Sequence, residues 1–335
     1  MNGWRTRCGF TPTVLMFGAL SLLNGCSKEA PQAAETQRAR HSPAPPVGSE
    51  SSEANLHTPS GGPPGNLEFQ PFERSLLAHA GTLDRANQYV STVMVTLQGP
   101  GMDGGCSGVL LHPRLALTAA HCVCPRREAV FQQGEGGPFI DGTACAGRAS
   151  VTSVSYETSE NPERPTLRIR SYEGQVRPHP RFQLLLDASG VTRTSSADLS
   201  VILLDQPVEL PLTSVRLADS EVQVQESLVM AGYGHDRIVG SRHGARYSRK
   251  NQVTRAPTSA EGRALYAQQG AALYEGFDGG PCFRENGQGR WLVGISGLST
   301  SEGLSFTSTF LYRDWLRAEL QRAEAVGSAK PPGTP

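Results

Sequence analysis

Between about residue 88 and residue 310 the apolar positions come in short bursts, not long stripes. Val93, Val95 and Leu97 alternate with Met94 and Thr96, the period of a half-buried strand. Similar short runs recur around Val109, Leu117, Val201, Val229 and Val293, separated by Gly, Pro and Asn turn signals. From Tyr312 to about Ala325 the pattern changes and predicts one closing helix. Many short strands and a single terminal helix predict an all-β domain. The stretches 134–194 and 241–270 are polar and are expected to lie largely on surface loops. The basic run of Arg242, Arg246, Arg249, Lys250 and Arg255 is expected to be one such solvated loop.

The N-terminal part follows a different pattern. Arg5 and Arg7 precede an apolar run from Val14 to Leu23, which ends in Leu23-Asn24-Gly25-Cys26. A basic start, a short apolar core and a small residue before the cut predict a secretory signal in residues 1–25. The run is too short for a comfortable transmembrane helix. A cysteine after Leu-x-Gly resembles a bacterial lipoprotein signal, which implies that Cys26 is acylated and becomes the mature N-terminus. An ordinary signal peptide with an incidental cysteine is the alternative. Ser27, in place of Asp, implies by the same resemblance an outer-membrane destination. Residues 26–75 are rich in Pro, Ser, Ala, Gly and Glu, too poor in apolar surface to offset ordering entropy, and are expected to be a disordered tether. Residues 76–325 are expected to form the folded domain and 326–335 a disordered tail. The chain is 335 residues long and 38% hydrophobic, enough for one domain with a real core. Its formal charge of zero suggests neither a nucleic acid nor a strongly charged partner.

The chemistry is carried by separated blocks. Cys106-Ser107-Gly108-Val109-Leu110-Leu111 is followed by Leu117-Thr118-Ala119-Ala120-His121-Cys122, then Ala197-Asp198-Leu199-Ser200-Val201-Ile202-Leu203-Leu204, then Val229-Met230-Ala231-Gly232-Tyr233-Gly234. Gly276-Phe277-Asp278-Gly279-Gly280-Pro281 comes next, and Phe306 to Leu316 closes the series. In this order and spacing the blocks resemble the trypsin/chymotrypsin family of serine proteases. The resemblance implies two six-stranded antiparallel Greek-key β-barrels with a C-terminal α-helix and a site in the cleft between the barrels. It implies His121 as general base and Asp198 as the carboxylate that orients it. The third position, where the family reads Gly-Asp-Ser-Gly-Gly-Pro, carries Asp278, which has no hydroxyl.

Three consequences of that aspartate are chemically conceivable. A histidine between two carboxylates favours the imidazolium and is a poor base. A carboxylate in the oxyanion loop, at Gly276 and Asp278, also repels developing negative charge. This gives an inactive homologue that acts by binding a protein or peptide partner. Alternatively, His121 and Asp278 activate water, or Asp278 attacks directly, leaving residual serine-type endopeptidase activity. A metal held by His121 and the carboxylates is the third reading, but no metal-binding spacing appears, and neither a cofactor nor a metal is expected. Phe277 favours the first reading, because in active relatives this residue is an aspartate that pairs with the N-terminus made by zymogen cleavage. The region Leu76 to Val90 lacks the matching cleavage signal. Six residues before Asp278 stands Ala272, so no acidic specificity pocket is implied, and Gly294-Ile295-Ser296-Gly297 is expected to border the cleft.

Seven cysteines remain to be placed. Cys8 is expected to leave with the signal, and the lipoprotein resemblance implies that Cys26 would carry lipid. Family resemblance implies a Cys106–Cys122 disulfide, with a contribution of about 3 kcal/mol. Cys124 and Cys145 are a plausible second pair, which leaves Cys282 as a buried thiol. His179-Pro180 is expected to be a structural turn, and His112, His235 and His243 surface or loop residues.

Overall fold

The computed structural model describes residues 81–97, 105–128, 137–157, 166–210, 215–233, 245–268, 277–287 and 289–328. The expected leader, tether and anchor cysteine lie outside these residues, as do Gly276, Ala272, His235 and His243.

Strands β1 (Thr92–Thr96), β2 (Gly105–His112), β3 (Leu115–Thr118), β4 (Arg148–Glu157), β5 (Thr166–Pro178) and β6 (Ser200–Leu204) close a first barrel in the order β6-β3-β2-β1-β4-β5. Strands β7 (Ser227–Tyr233), β8 (Arg246–Arg255), β9 (Arg263–Gln268), β10 (Pro281–Asn286), β11 (Gly289–Thr300) and β12 (Gly303–Ser308) close a second, in the order β7-β8-β9-β12-β11-β10. Every barrel pairing is antiparallel. In both barrels the fourth strand returns to pair with the first, which is the Greek-key connection. The expected pair of six-stranded barrels is therefore present.

Strand alternation sorts the side chains into three cores. Leu110, Ala116, Val151 and Ile202 point into the first barrel, and Leu228, Met230, Val253 and Phe306 into the second. Their neighbours Val109, Leu117, Val201, Val229 and Leu292 point the other way and form a third core between the barrels. That shared core fixes one barrel against the other, and so positions the cleft. Helix α1 (Arg313–Ser328) lays Leu316 and Ala323 on it. Glu319 of the helix accepts a hydrogen bond from Nε of Arg177 on β5 at 3.1 Å.

Two expectations change. Helix α1 runs on to Ser328, so residues 326–328 are helix and not tail. The stretches assigned to loops contain β4, β5, β8 and β9. In β5 the residues from Thr166 to Ile169 are exposed on both faces, which erases the period-2 signal. In β8 polar residues take buried positions, Arg249 and Asn251 on one face and Arg246 on the other, which hides the apolar alternation. The basic run is thus no solvated loop where it is described.

Candidate functional site: a histidine and two carboxylates in the inter-barrel cleft

The first-barrel half of the site sits where β3 ends. After Thr118 the chain makes a single turn of 3-10 helix over Ala120–Cys122, which carries His121 out of the sheet. The disulfide from Cys122 to Cys106 on β2 pins that turn, and a second disulfide joins Cys124 to Cys145. Asp198 comes from the connection before β6. Ala197 precedes it with φ of +49°, a left-handed conformation that costs a non-glycine residue about 1–2 kcal/mol. Complete burial and an N–H bond from Ala197 to the Tyr312 hydroxyl at 3.0 Å hold it there.

The result is a tight, dry pair. Nδ1 of His121 donates to Oδ2 of Asp198 at 2.7 Å, and the His121 backbone N–H donates to Oδ1 at 2.9 Å. The two side chains are 7% and 3% exposed. Asp198 therefore fixes both the ring orientation and the tautomer, leaving Nε2 for other chemistry. Burial alone would push the imidazole pKa down. The charge of Asp198, its hydrogen bond and the charge of Asp278 oppose this and hold it above the usual value.

The second-barrel half is a turn. The N–H of Gly280 donates to the carbonyl of Phe277 at 2.7 Å, with Gly279 at φ +77° in the third position, the pattern of a type II turn. Glycine is required there on two counts. The positive φ is one, and a Cβ would run into Oγ1 of Thr118 and the carbonyl of Ser107. Asp278, half-buried, occupies the second turn position. Its carbonyl accepts the N–H of Ser107 at 2.8 Å, and the N–H of Gly279 donates to Ser296 at 2.8 Å. Ser107 also accepts the Tyr233 N–H on Oγ at 2.8 Å, so this one fully buried serine ties β2 to both the turn and β7. In the segment Gly294 to Gly297 of β11, Ser296 bonds the turn on both sides, accepting from Gly279 and donating to Gly280. Nothing in its sequence marked Ser107 for this role; only the pairing of two barrels brings it there.

Phe277 is 9% exposed and packs with Ala245, Tyr247 and Leu83. A Cβ at Gly232 would collide with its ring, so the glycine of β7 makes room for it. Among the described residues, His121, Cys106 and Cys122 form a grouping of metal-ligand types, but both sulfurs are committed to their disulfide and are not thiolates. Cys282 is a buried free thiol with its pKa raised by burial, the reverse of a reactive cysteine. His179 is structural: its ring is edge-on to Tyr312 and Trp315, and burial helped by Arg181 lowers its pKa to about 4.

Residues 106–295 match the family model of the trypsin-like peptidase domain. Among solved structures the chain is similar to one named GrC, at 16% identity and a TM-score of 0.50, covering 72% of this chain and 98% of that one. It is similar to the scabies mite inactivated protease paralogue S-D1 at 15% identity and a TM-score of 0.49, over 72% of this chain and 96% of the other. Mouse neuropsin, a serine protease expressed in the limbic system, matches at 19% identity and 0.47, over 70% and 96%.

Proposed function

The chain belongs to the family of trypsin-like peptidase domains, and from that premise we propose that it works by binding a protein or peptide in its cleft, not by cutting it. One observation carries this reading: the turn that should present a serine hydroxyl presents the carboxylate of Asp278. Attack by a carboxylate on an amide gives an anhydride, far less stable than the ester a serine forms, so direct substitution is a poor route to hydrolysis. The raised pKa of His121 works in the same direction, because an imidazolium accepts no proton. The negative charge of Asp278 also opposes the oxyanion of any tetrahedral intermediate.

The protein is further proposed to be exported and anchored through lipid on Cys26. The basic-then-apolar leader and the Leu-x-Gly-Cys sequence support this. The two disulfides of the domain suit an oxidising compartment.

A second reading, residual endopeptidase activity, is supported by the well-formed His121–Asp198 pair, whose geometry is that of a working base and its orienting carboxylate. Hydrolysis of an unfolded protein by the domain, beside its His121→Ala variant, separates the two. No cleavage by either protein is expected. Cleavage that vanishes in the variant would overturn the binding-only reading.

A further inference from the structure

The segment just before the first barrel does more than lead into it. Thr82 and Leu83 pair antiparallel with Ser248 and Tyr247 of β8. Leu83 covers the nest in which Phe277 sits with Ala245 and Tyr247. Asp84, 5% exposed, accepts Nε of Arg246 at 2.7 Å and the backbone N–H groups of Gln88 at 2.7 Å and Tyr89 at 2.8 Å. Arg246 has no solvent exposure, and from the second barrel it reaches the Val154 carbonyl of β4 at 2.7 Å. It also donates to the Tyr233 hydroxyl at 3.0 Å and to Oδ1 of Asn87 at 3.3 Å. Asn87 in turn pairs with the backbone of Tyr156, donating to its carbonyl at 2.7 Å and accepting its N–H at 2.9 Å. Tyr89 stacks on Phe283 of β10 with centroids 6.0 Å apart. These contacts reach both barrels.

We propose that residues 81–91 are a built-in strap that sets the Asp278 turn in the intact chain, so that the cleft reaches its final shape on folding and needs no cut upstream. Two devices do this. Leu83 closes the apolar nest and holds Phe277, which is covalently next to Asp278. The Asp84–Arg246 pair locks the strap to both barrels at once. Leu83, Ala245, Tyr247 and Phe277, which form the nest among the described residues, carry no carboxylate to pair with the free amine of a newly made N-terminus. The strap holds the turn in the same way whether the cleft binds or hydrolyses.

Hydrogen exchange on the full chain tests it. The amides to follow are Ser107, Gly279 and Ser296, bonded to Asp278, Ser296 and Gly280 respectively, with Leu204, bonded to Arg114, as the reference in the first barrel. Proteolytic trimming upstream of Gly81 should leave protection at all four unchanged. Leu83→Asp, or Leu83→Ala should the charged variant fail to fold, should speed exchange at the first three by about tenfold or more while Leu204 holds. Leu83→Ile should restore them. The strap role is refuted if those three amides keep their protection in the variants. An equal acceleration at Leu204 would refute it too, since that reports global stability only, as would loss of protection on trimming.

Discussion

The two halves of the cleft are built on opposite plans. The His121–Asp198 half is fixed by directional side-chain and covalent devices: a disulfide, a strained Ala197 and a bidentate carboxylate. The Phe277–Gly280 half is fixed by packing and backbone bonding: an apolar nest, a strap residue and bonds to Ser107 and Ser296. The first half has the geometry of a histidine and its orienting carboxylate, and the second presents Asp278 at the second position of its turn. A site can thus keep a full scaffold while one side chain changes its chemistry, because packing and catalysis impose separate demands on the same turn.

Breaking the second half should cost most. Arg246→Met leaves Asp84 buried without its partner and should destabilise the domain by about 3–5 kcal/mol, read from urea unfolding. Asp84→Asn added to it should recover part of the loss, since no unpaired charge is then buried, although Gln88 and Tyr89 donate to different carboxylate oxygens and the single amide oxygen keeps only one of the two bonds. On the first half, replacing Cys106 and Cys122 together by alanine should cost about 3 kcal/mol and loosen the His121 turn. Ser107→Ala touches both halves, and orphaning the buried Tyr233 N–H should cost about 1–3 kcal/mol.

The smallest stability effect, and the most informative chemically, is expected from Asp278→Ser. Removing one carboxylate should lower the His121 pKa, followed by imidazole NMR. The sign matters. A folded pKa raised above the unfolded value near 6.5 gives stability that is complete below that pH and is lost as pH rises through the folded pKa. The variant should therefore lose this contribution at lower pH than the parent. An unchanged His121 titration would mean the two halves do not communicate electrostatically. Little peptidase activity is expected from the variant, since the serine would sit on a turn held by Phe277; substantial turnover would show that Phe277 does not obstruct catalysis.

Much of the first half was legible in the residues themselves. His121 and Asp198 stand in blocks whose order and spacing carry the resemblance; the short alternating runs implied an all-β domain, and the resemblance narrowed it to two barrels. The second half was legible only at Asp278 and Phe277. Arg246 read as one charge in a basic loop, because an arginine's burial depends on a carboxylate 162 residues away in sequence. Strand β5 read as loop because Thr166 to Ile169 are exposed on both faces, and β4 because Ser150, Thr152 and Ser153 put polar side chains at buried positions.

By itself the sequence determined the chemistry available: a histidine and two carboxylates, one of them Asp278, where the resemblance places a serine. Those are properties of side-chain identity at motif spacing, which local order suffices to reveal. Only the tertiary structure decided that Asp84 meets Arg246, that Leu83 covers Phe277 and that Ser107 joins the barrels. Each is a long-range contact between segments with no common motif, chosen by which surfaces closing two barrels leaves to be buried.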